Sequence, residues 1–438
     1  MKTPTAKILF LLCTIGVFLF FAYYIGASFD VENKTAKKIE QTEEVRYPTV
    51  VVQKESIQTT HAEFSPGDSL EEKAGVATDT VPVEGVVSEQ AKENGETEPQ
   101  VILNHTRKEI RGIYIPYGVF NSPGGRARIT SIIETTRINA LVIDVKDSSG
   151  HIYIPMEGEQ YAFTLSPYSS TALAYLQTLK EKGVYLIARV VVFQDPLLSV
   201  HTPEYALKQK DGSVWKDYKG LSFLDPQNKQ VWGYTKTIAT TAYDLGFDEI
   251  NFDYIRYPSD GRISEIVYNI PAGFQKASIL EDFFEYLMYE LKLQRGIAIS
   301  ADIFGDTVRL KGDPGIGQVF EKTLPYFDAV APMVYPSHFS SGSYGVEDPD
   351  SHPKEIMEGV ASDTYKRFYA WCDSLSLEKN NTGICDYSKN SPWIQDFSIK
   401  SSYGVKEVKD QIDALEVLGI NSWFVWNAAG RYTVDALK

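Results

Sequence analysis

The sequence is poor in the residue types that build metal centres. Three cysteines and six histidines are spread over 438 residues, and they do not have the spacing of a Cys/His zinc framework. The first strand-like stretch, IYIPYGVFNSPGG, lacks the G-x-G-x-x-G pattern with which a dinucleotide-binding turn holds a pyrophosphate. We therefore predict neither a metal nor a cofactor.

Positive charge is also in short supply. The chain has 43 Lys and Arg against 58 Asp and Glu, a net charge of −15. A nucleic-acid-binding face needs a basic surplus, so we predict no nucleic-acid partner. The same balance argues against electrostatic attachment to anionic lipid. Apolar residues (43%) and aromatic residues (13%) are plentiful, and they indicate a substantial globular core.

The few cysteines leave one question open. Cys13 lies in an apolar run, whereas Cys372 and Cys385 lie thirteen positions apart in the C-terminal part. In an exported protein such a pair can close a surface loop through a disulfide. Two unpaired thiols are the alternative.

Residues 8–27 form an uncharged run of the length that spans a bilayer core. Lysines precede the run and acidic residues follow it, an asymmetry that keeps the N-terminus in the cytoplasm and exports the rest. We predict that residues 1–28 are a cytoplasmic stub and a transmembrane signal-anchor, with the lipid bilayer as partner through residues 8–27. A signal peptide cleaved after Ala27 is the alternative. With the anchor retained, the protein is single-pass, and its main domain is extracytoplasmic at the cell surface.

Residues 29–105 are predicted to be a disordered linker. They contain sixteen acidic and seven basic residues, no Trp and three other aromatics. Such a composition cannot bury enough apolar surface to offset the entropy of ordering. The excess of like charge extends the segment, which would hold the following domain away from the membrane.

Residues 106–438 have the composition of a folded domain, with all six Trp and 24 of the 27 Tyr. Eight β-rich stretches alternate with helical ones, a pattern that indicates a parallel sheet. Eight such units favour a (β/α)8 TIM barrel, and an open doubly wound sheet is the alternative. The strands are predicted in IRGIYIP, ALVIDVKD, VYLIARVVVF, DEINFDYIRY, GIAISADIFG, FDAVAPMVYP, PWIQDFS and NSWFVWN. The helices are predicted near residues 124–137, 168–182, 227–245, 274–293, 312–323, 354–368 and 404–418.

Two carboxylates are predicted at the ends of neighbouring strands. Barrel enzymes carry their active sites at the C-terminal strand ends, and alternate residues of each strand face the interior. That alternation turns Asn251 and Asp253 inward on the fourth strand, and Ser300 and Asp302 on the fifth. Glycoside hydrolysis needs one protonated acid and one ionised carboxylate. We predict Asp253 as nucleophile or electrostatic stabiliser and Asp302 as acid/base.

Arginines near these carboxylates would keep one of them ionised, while repulsion between like charges would raise the pKa of the other. Arg189 and Arg256 are the candidates, and we expect Arg256 to pair with Asp253. A purely structural ion-pair network is the alternative. Further residues near strand ends are predicted to bind the substrate: Asp144, Lys146, Arg189, Asn251, Arg256, Tyr335, Asp396 and Trp426.

A series of motifs between residues 110 and 435 resembles one known family, in order along the chain. The motifs are RGIYIP, NALVIDVKDSSG, VYLIARVVVFQDPLL, GFDEINFDYIRYPSDG, ISADIFG, DAVAPMVYPSHF, PWIQDF and WFVWNAAGRY. Together they resemble the putative glycoside hydrolase domain of bacterial envelope proteins, first catalogued as a domain of unknown function. The resemblance implies a TIM-barrel, glycosidase-like domain.

Two better understood barrel families offer partial similarity. The fourth strand is similar to the D-G-x-D-x-D-x-E strand of family-18 chitinases, with Asp253 at its last Asp and Ile255 where the catalytic Glu would stand. Tyr335 and Trp426 resemble the chitinase M-x-Y tyrosine and last-strand Trp. In the α-amylase superfamily an Asp on the fourth strand is the nucleophile and a Glu on the fifth is the acid, roles that would fall to Asp253 and Asp302. Because Ile255 replaces the chitinase Glu, the proton donor must come from another strand.

These observations predict a membrane-anchored glycoside hydrolase that acts on a cell-wall or extracellular polysaccharide. A non-catalytic glycan-binding or scaffolding barrel is the alternative, because the same aromatic cleft could bind a sugar without a competent acid. A barrel hydrolase or lyase acting on a different kind of substrate is a third possibility. The sugar, the linkage and the oligomeric state are left open by the sequence.

Overall fold

The computed structural model describes residues 109–375 and 385–438. The predicted signal-anchor and linker, residues 1–28 and 29–105, lie outside this part of the chain. Within it, no helix combines the length and the apolar character needed to cross a membrane.

Eight parallel strands form a closed barrel, so the predicted TIM-barrel architecture is confirmed for the described residues. Each strand pairs with its neighbours in chain order, and the last pairs with the first. The strands are β1 (Arg111–Ile115), β2 (Ala140–Lys146), β3 (Tyr185–Val191), β4 (Glu249–Asp253), β5 (Ala298–Phe304), β6 (Ala329–Met333), β7 (Trp393–Gln395) and β8 (Trp423–Trp426).

Helices connect successive strands on the outside of the barrel. They are α1 (Tyr117–Asn121), α2 (Pro123–Thr135), α3 (Ser170–Glu181), α4 (Pro196–His201), α5 (Lys229–Asp244), α6 (Lys276–Leu287), α7 (Asp306–Arg309), α8 (Phe320–Thr323), α9 (Pro353–Ser374) and α10 (Val405–Val417). A π-helical turn, Met288–Leu293, continues α6. The loops after β3 and β4 are joined by a two-stranded antiparallel ribbon, Lys208–Gln209 with Ile266–Val267.

Side-chain alternation along the strands produces two apolar layers. Residues such as Leu141, Ile143 and Ile250 face outward and pack in the large core between barrel and helices. Their neighbours face inward, where Val142 and Ile187 belong to a smaller cluster inside the barrel. A buried strand of a parallel sheet has helices on one face and barrel interior on the other, which is why these strands read as nearly continuous apolar runs.

Polar side chains at helix starts fix where several helices begin. Ser122, Ser169 and Asn228 accept hydrogen bonds from backbone N–H groups in the first turns of α2, α3 and α5. Asp195 does the same for α4, accepting from the Leu198 N–H at 2.8 Å. These N-caps satisfy donors that have no partner within the helix.

The helix predicted over residues 312–323 is wrong for most of its length. The chain there forms a loop, and only α8 at its end is helical. Gly312, Gly315 and Gly317 adopt positive φ angles, which a right-handed helix cannot contain. The Asp313 carboxylate accepts three backbone N–H groups of this loop, an alternative to helical hydrogen bonding.

Cys372 and Cys385 form a disulfide, with their Cα atoms 5.7 Å apart. Cys372 lies in the last turn of α9, and Cys385 precedes β7. A helix that follows a barrel strand ends near the N-terminal end of the next strand, so the disulfide lies at the face opposite the C-terminal strand ends.

Candidate active site

A cleft of about 420 Å³ opens at the C-terminal ends of the strands. Its size lies in the range of small-molecule sites. The charged residues of its wall are Arg189, Asp253, Arg256, Asp302 and Asp306. The ring-bearing residues are Tyr254, Phe304, Tyr335, His338, Phe339, Trp393 and Trp426.

Asp253 is the last residue of β4, and its carboxylate is held in a fixed orientation. Arg189 of β3 donates to Oδ2 through Nε (3.1 Å) and Nη2 (2.6 Å). The Tyr254 N–H donates to Oδ1 at 2.6 Å. Tyr254 has a φ of +52°, a left-handed conformation that is uncommon for a residue with a side chain. The strand therefore ends abruptly, and two hydrogen bonds from one guanidinium fix the orientation of the Asp253 carboxylate.

Arg189 is shared between two carboxylates. Its Nη1 donates to Oδ1 of Asp144 on β2 at 2.6 Å, and Tyr114 of β1 donates its hydroxyl to Oδ2 of the same residue at 2.5 Å. Burial raises the pKa of Asp144, and Arg189 opposes that rise. Four neighbouring strands thus contribute one hydrogen-bonded chain, Tyr114–Asp144–Arg189–Asp253.

Asp302 of β5 is in a different environment. It is 2% exposed, and its Oδ1 accepts from Asn251 Nδ2 and from the Trp393 indole N–H, both at 2.8 Å. Its Oδ2 has no hydrogen-bond partner among the described residues. Burial, followed by the negative charge of Asp253, raises the pKa of Asp302 well above its ordinary value. Asp302 is therefore suited to carry a proton that faces the cleft.

Asp253 and Asp302 lie side by side on adjacent strands. Phe252 of β4 pairs with Ala301 of β5, so the next residue of each strand is at the same level of the barrel. Asn251 and Ser300 lie one inward layer below, linked by a 3.2 Å hydrogen bond. One paired carboxylate next to one protonated acid is an arrangement that can perform acid-assisted displacement at a single centre.

Aromatic rings cover the β8–β1 side of the cleft. Trp426 stacks on Tyr114 with ring centroids 4.0 Å apart. The rings of Trp426 and Trp393 are nearly perpendicular, with centroids 5.6 Å apart. The Arg189 guanidinium lies 5.3 Å from the Trp426 ring. On the β6 side, burial raises the pKa of the Tyr335 hydroxyl, which keeps it a neutral hydrogen-bonding group.

Arg256 lies in the cleft but does not pair with Asp253 as expected. The ion pair is made by Arg189 instead. Arg256 donates to the Tyr257 carbonyl at 3.0 Å, and its guanidinium lies 4.6 Å from the Phe304 ring. The left-handed turn at Tyr254 redirects the chain after β4 and places Arg256 among rings.

Four of the eight predicted substrate-binding residues are not part of the cleft wall, and two of them, Lys146 and Asp396, contact neither carboxyl of the proposed pair. A bulge after Asp144 adds one residue to β2, so Lys146 pairs with outward-facing Val190. Its ammonium is 1% exposed and forms an ion pair with Asp195 at 2.9 Å. Asp396 accepts hydrogen bonds from the Thr433 N–H and hydroxyl at 2.7 and 2.8 Å. Both residues are therefore engaged in structural bonds.

The other predicted residues meet around the cleft. The cleft wall includes Arg189, Arg256, Asp253, Asp302, Tyr335 and Trp426. Behind the wall, Asn251 donates a hydrogen bond to Asp302, and Asp144 accepts one from Arg189. The sequence-based prediction missed Tyr114 as a partner of Asp144, the Trp393 N–H, and His338 with Phe339. A histidine three residues beyond Tyr335 in a Pro-containing loop was the available signal for the last pair.

Among residues 109–375 and 385–438, no group of three or more His, Cys, Asp or Glu side chains is arranged to hold a metal ion. The Asp144, Asp253 and Asp302 carboxyls are instead bonded to guanidinium, hydroxyl, indole and amide donors.

A family model described as "Putative glycosyl hydrolase domain" matches residues 112–432. No curated protein matches the chain significantly. Among solved structures, the glycoside hydrolase domain of PgaB (BpsB) from Bordetella bronchiseptica is similar with a TM-score of 0.53 at 13% identity, covering 75% of this chain and 99% of that one. At this identity the likeness concerns the fold.

Two further solved structures are similar over parts of the chain. A hypothetical protein from Ruminiclostridium thermocellum is 32% identical, covering 43% of this chain and 96% of its own, with a TM-score of 0.39. The spore cortex-lytic enzyme SleL of Bacillus megaterium is 10% identical, covering 76% and 73%, with a TM-score of 0.42.

Proposed function

Because the chain belongs to the family of putative glycosyl hydrolase domains, we propose that it hydrolyses glycosidic bonds, with Asp302 as the general acid and Asp253 as the ionised carboxylate. The observation that carries the proposal is the contrast between these neighbours. Arg189 bonds twice to Asp253, whereas Asp302 is buried, bonded only to neutral donors and raised in pKa. Environments that separate the pKa values of two carboxyl groups assign their acid and base roles.

In the proposed reaction, Asp302 donates its proton to the glycosidic oxygen as the bond from that oxygen to the anomeric carbon breaks. Asp253 bonds to, or electrostatically stabilises, the positive anomeric carbon. A water molecule then adds hydroxide to that carbon and gives its proton to Asp302, and any bond between Asp253 and the carbon breaks in the same step, which frees the Asp253 carboxylate. Each carboxyl group ends in its starting state, as the glycosidase mechanism requires.

The spacing of the strands favours retention of configuration. Neighbouring strands lie about 4.8 Å apart, and retaining enzymes keep their two carboxyl groups about 5–5.5 Å apart, whereas inverting enzymes need about 6.5–9.5 Å. Proton NMR of the first anomer released reports the outcome directly. A product of inverted configuration would exclude Asp253 as the nucleophile.

The cleft suits a sugar in shape and chemistry. Trp426 and Tyr335 line the same cleft as the two carboxyls. Sugars combine apolar C–H faces with hydroxyl groups, so an amphipathic aromatic wall can bind both parts. We propose that the substrate is a cell-wall or extracellular polysaccharide or oligosaccharide.

We further propose that residues 8–27 anchor the protein in the membrane and that the barrel is extracytoplasmic. The uncharged run and its flanking charges support this orientation. The Cys372–Cys385 disulfide supports it as well, because such bonds persist in oxidising compartments. Protease added to intact cells should remove the barrel, while protection until lysis would exclude this orientation.

The test of hydrolysis uses the full-length protein in detergent with a panel of cell-wall and exopolysaccharide fractions. Release of reducing ends should fall about 10²- to 10⁴-fold in Asp302→Asn and in Asp253→Asn, the range expected for loss of an acid/base group. Asp248→Asn, at the residue that precedes the N-terminal end of β4, is the matched control and should keep full activity. Glycan binding without product release would overturn the enzymatic proposal in favour of a glycan-binding barrel.

A further inference from the structure

Arg256 is a buried cation that no described carboxylate neutralises through an ion pair. It is 8% exposed, and its Nη1 donates to the Tyr257 carbonyl. Its Nε and Nη2 make no hydrogen bond to a described residue, and neither atom is sealed from solvent. Because Arg256 forms part of the cleft wall, these two N–H groups are available to a ligand.

Other ionised groups of the cleft have partners of opposite charge. Arg189 pairs with both Asp253 and Asp144, and Asp306 pairs with Arg309 at 2.8 Å. Asp302 favours its protonated, neutral form. Among the described residues of the cleft wall, Arg256 is therefore the cation that has no oppositely charged partner.

Burial without a partner is costly for a guanidinium. Desolvation lowers the pKa of Arg256, and the negative charges of Asp253 and Asp260 oppose that change without forming an ion pair. The Phe304 and Tyr254 rings lie 4.6 and 4.8 Å from the guanidinium and offset part of the cost through cation–π attraction. An anion at the free edge would remove the remainder.

The geometry of the free edge fits an oxyanion. Nε and Nη2 point to the same side of a guanidinium, and this is the edge with which Arg189 bonds to Asp253. Two parallel N–H donors match a carboxylate or phosphate group in a bidentate arrangement. Arg189 on the neighbouring strand β3 therefore provides an example of how this edge of a guanidinium binds an oxyanion.

We propose that Arg256 recognises an oxyanion substituent, a carboxylate or a phosphate ester, on the sugar bound next to Asp253 and Asp302. The substrate class is then an acidic glycan. The inference rests on the proposed function only in taking the ligand to be a glycan.

Binding calorimetry on the full-length protein in detergent tests the inference with three sets of oligosaccharides. These are oligogalacturonates, their carboxyl-reduced neutral counterparts, and phosphate-ester-bearing oligosaccharides of the same length. Wild-type protein should prefer one or both acidic sets over the neutral one, and the preferred set identifies the oxyanion. Arg256→Gln should weaken binding of the preferred acidic set about tenfold to a hundredfold, the worth of charged hydrogen bonds, and leave neutral binding unchanged.

Two further variants separate recognition from structure. Arg256→Lys keeps the charge but not the planar fork, so it should restore part of the acidic preference. Arg295→Gln, which removes an arginine from a surface pair with Asp244, should leave the preference intact. Equal binding of neutral and acidic sets by wild-type protein, or equal losses for both sets in Arg256→Gln, would overturn the inference.

Failure of the inference and failure of the proposed function give different results. Hydrolysis of neutral glycans without any acidic preference would leave the glycosidase proposal standing and remove the anion site. A preference for acidic glycans that depends on Arg256, without hydrolysis of any glycan, would leave the anion site standing and remove the glycosidase proposal.

Discussion

The indole N–H of Trp393 donates to Oδ1 of Asp302 at 2.8 Å, across the barrel interior from β7 to β5. The bond links the proposed acid to a fully buried ring that also contacts Trp426 of the cleft wall. Trp393 therefore fixes the orientation of Asp302 and at the same time influences its proton affinity, because a donor to a carboxylate favours the ionised form.

Trp393→Phe should move the alkaline limb of the pH dependence of kcat/KM to higher pH. The indole bond lowers the pKa of Asp302 against burial and the charge of Asp253, which raise it. Without this bond, the pKa of Asp302 rises further because burial and the charge of Asp253 are less opposed. Asp302 therefore stays protonated at higher pH. Trp423→Phe, whose indole instead donates to Glu416, is the control. A limb that moves to lower pH in Trp393→Phe would contradict the assignment of Asp302 as the acid.

Asp302→Asn should stabilise the fold at neutral pH while it lowers activity about 10²- to 10⁴-fold. Because the folded-state pKa of Asp302 is raised by burial, the wild-type fold loses stability as the pH rises from the unfolded-state value of about 3.9 towards the folded-state pKa, at about 1.4 kcal/mol per unit of pKa difference. The neutral Asn avoids this loss. Urea unfolding should show no gain below about pH 3.9, a growing gain above it and a plateau beyond the folded-state pKa.

A stability gain that is independent of pH would contradict this account, since it would arise from packing. Asp248→Asn provides the comparison, because the Asp248 carboxylate pairs with Lys180 and accepts the Leu186 N–H. That variant should show no comparable gain.

Arg189→Met should destabilise the barrel by about 3–5 kcal/mol, because it leaves two buried carboxylates without their shared cation. Combining it with Asp253→Asn should recover part of the loss, since the second change removes one uncompensated charge. Urea unfolding of the single and double variants measures both effects. Lys438→Met, which breaks an exposed pair with Asp435, should change stability little, and losses that simply add in the double variant would argue against coupling.

Reduction of the Cys372–Cys385 disulfide should lower the unfolding temperature and leave the proposed hydrolytic activity unchanged. Closing a loop of about this length stabilises a fold by roughly 3 kcal/mol in the chain-entropy model. The bond lies at the face opposite the cleft, so kcat/KM below the transition should not change. Thermal unfolding with and without reductant measures the effect, and Cys372→Ser should match the reduced wild type while Cys13→Ser should still respond to reductant.

The barrel and its inward-facing carboxyls could be predicted because they depend on local periodicity. Alternation along β4 and β5 determines that Asn251, Asp253, Ser300 and Asp302 face the interior, and the hydrogen bonds among them agree with it. Such a pattern is a property of consecutive residues, so it can be read without knowing how the chain folds elsewhere.

The choice of charge partner between Arg189 and Arg256 could not be predicted, because it depends on single-residue irregularities. One extra residue in β2 turns Lys146 away from the interior and towards Asp195. One left-handed residue, Tyr254, separates Arg256 from the partner expected for it. Neither a bulge nor a positive φ at a tyrosine has a reliable local sequence signature. Arg189 can therefore be identified as the charge partner of Asp253 only from the folded barrel.

The chain Tyr114–Asp144–Arg189–Asp253 also has a consequence for how this site can change over evolutionary time. Its members come from four neighbouring strands, and Arg189 serves two carboxylates at once. Replacing Arg189 alone strands two buried carboxylates, and replacing it together with one aspartate still strands the other, whereas losing Arg189 and both aspartates leaves no unpaired charge. Among relatives, these positions should therefore be inherited or lost as a set, and a lineage that abandoned catalysis would be recognisable by their joint disappearance.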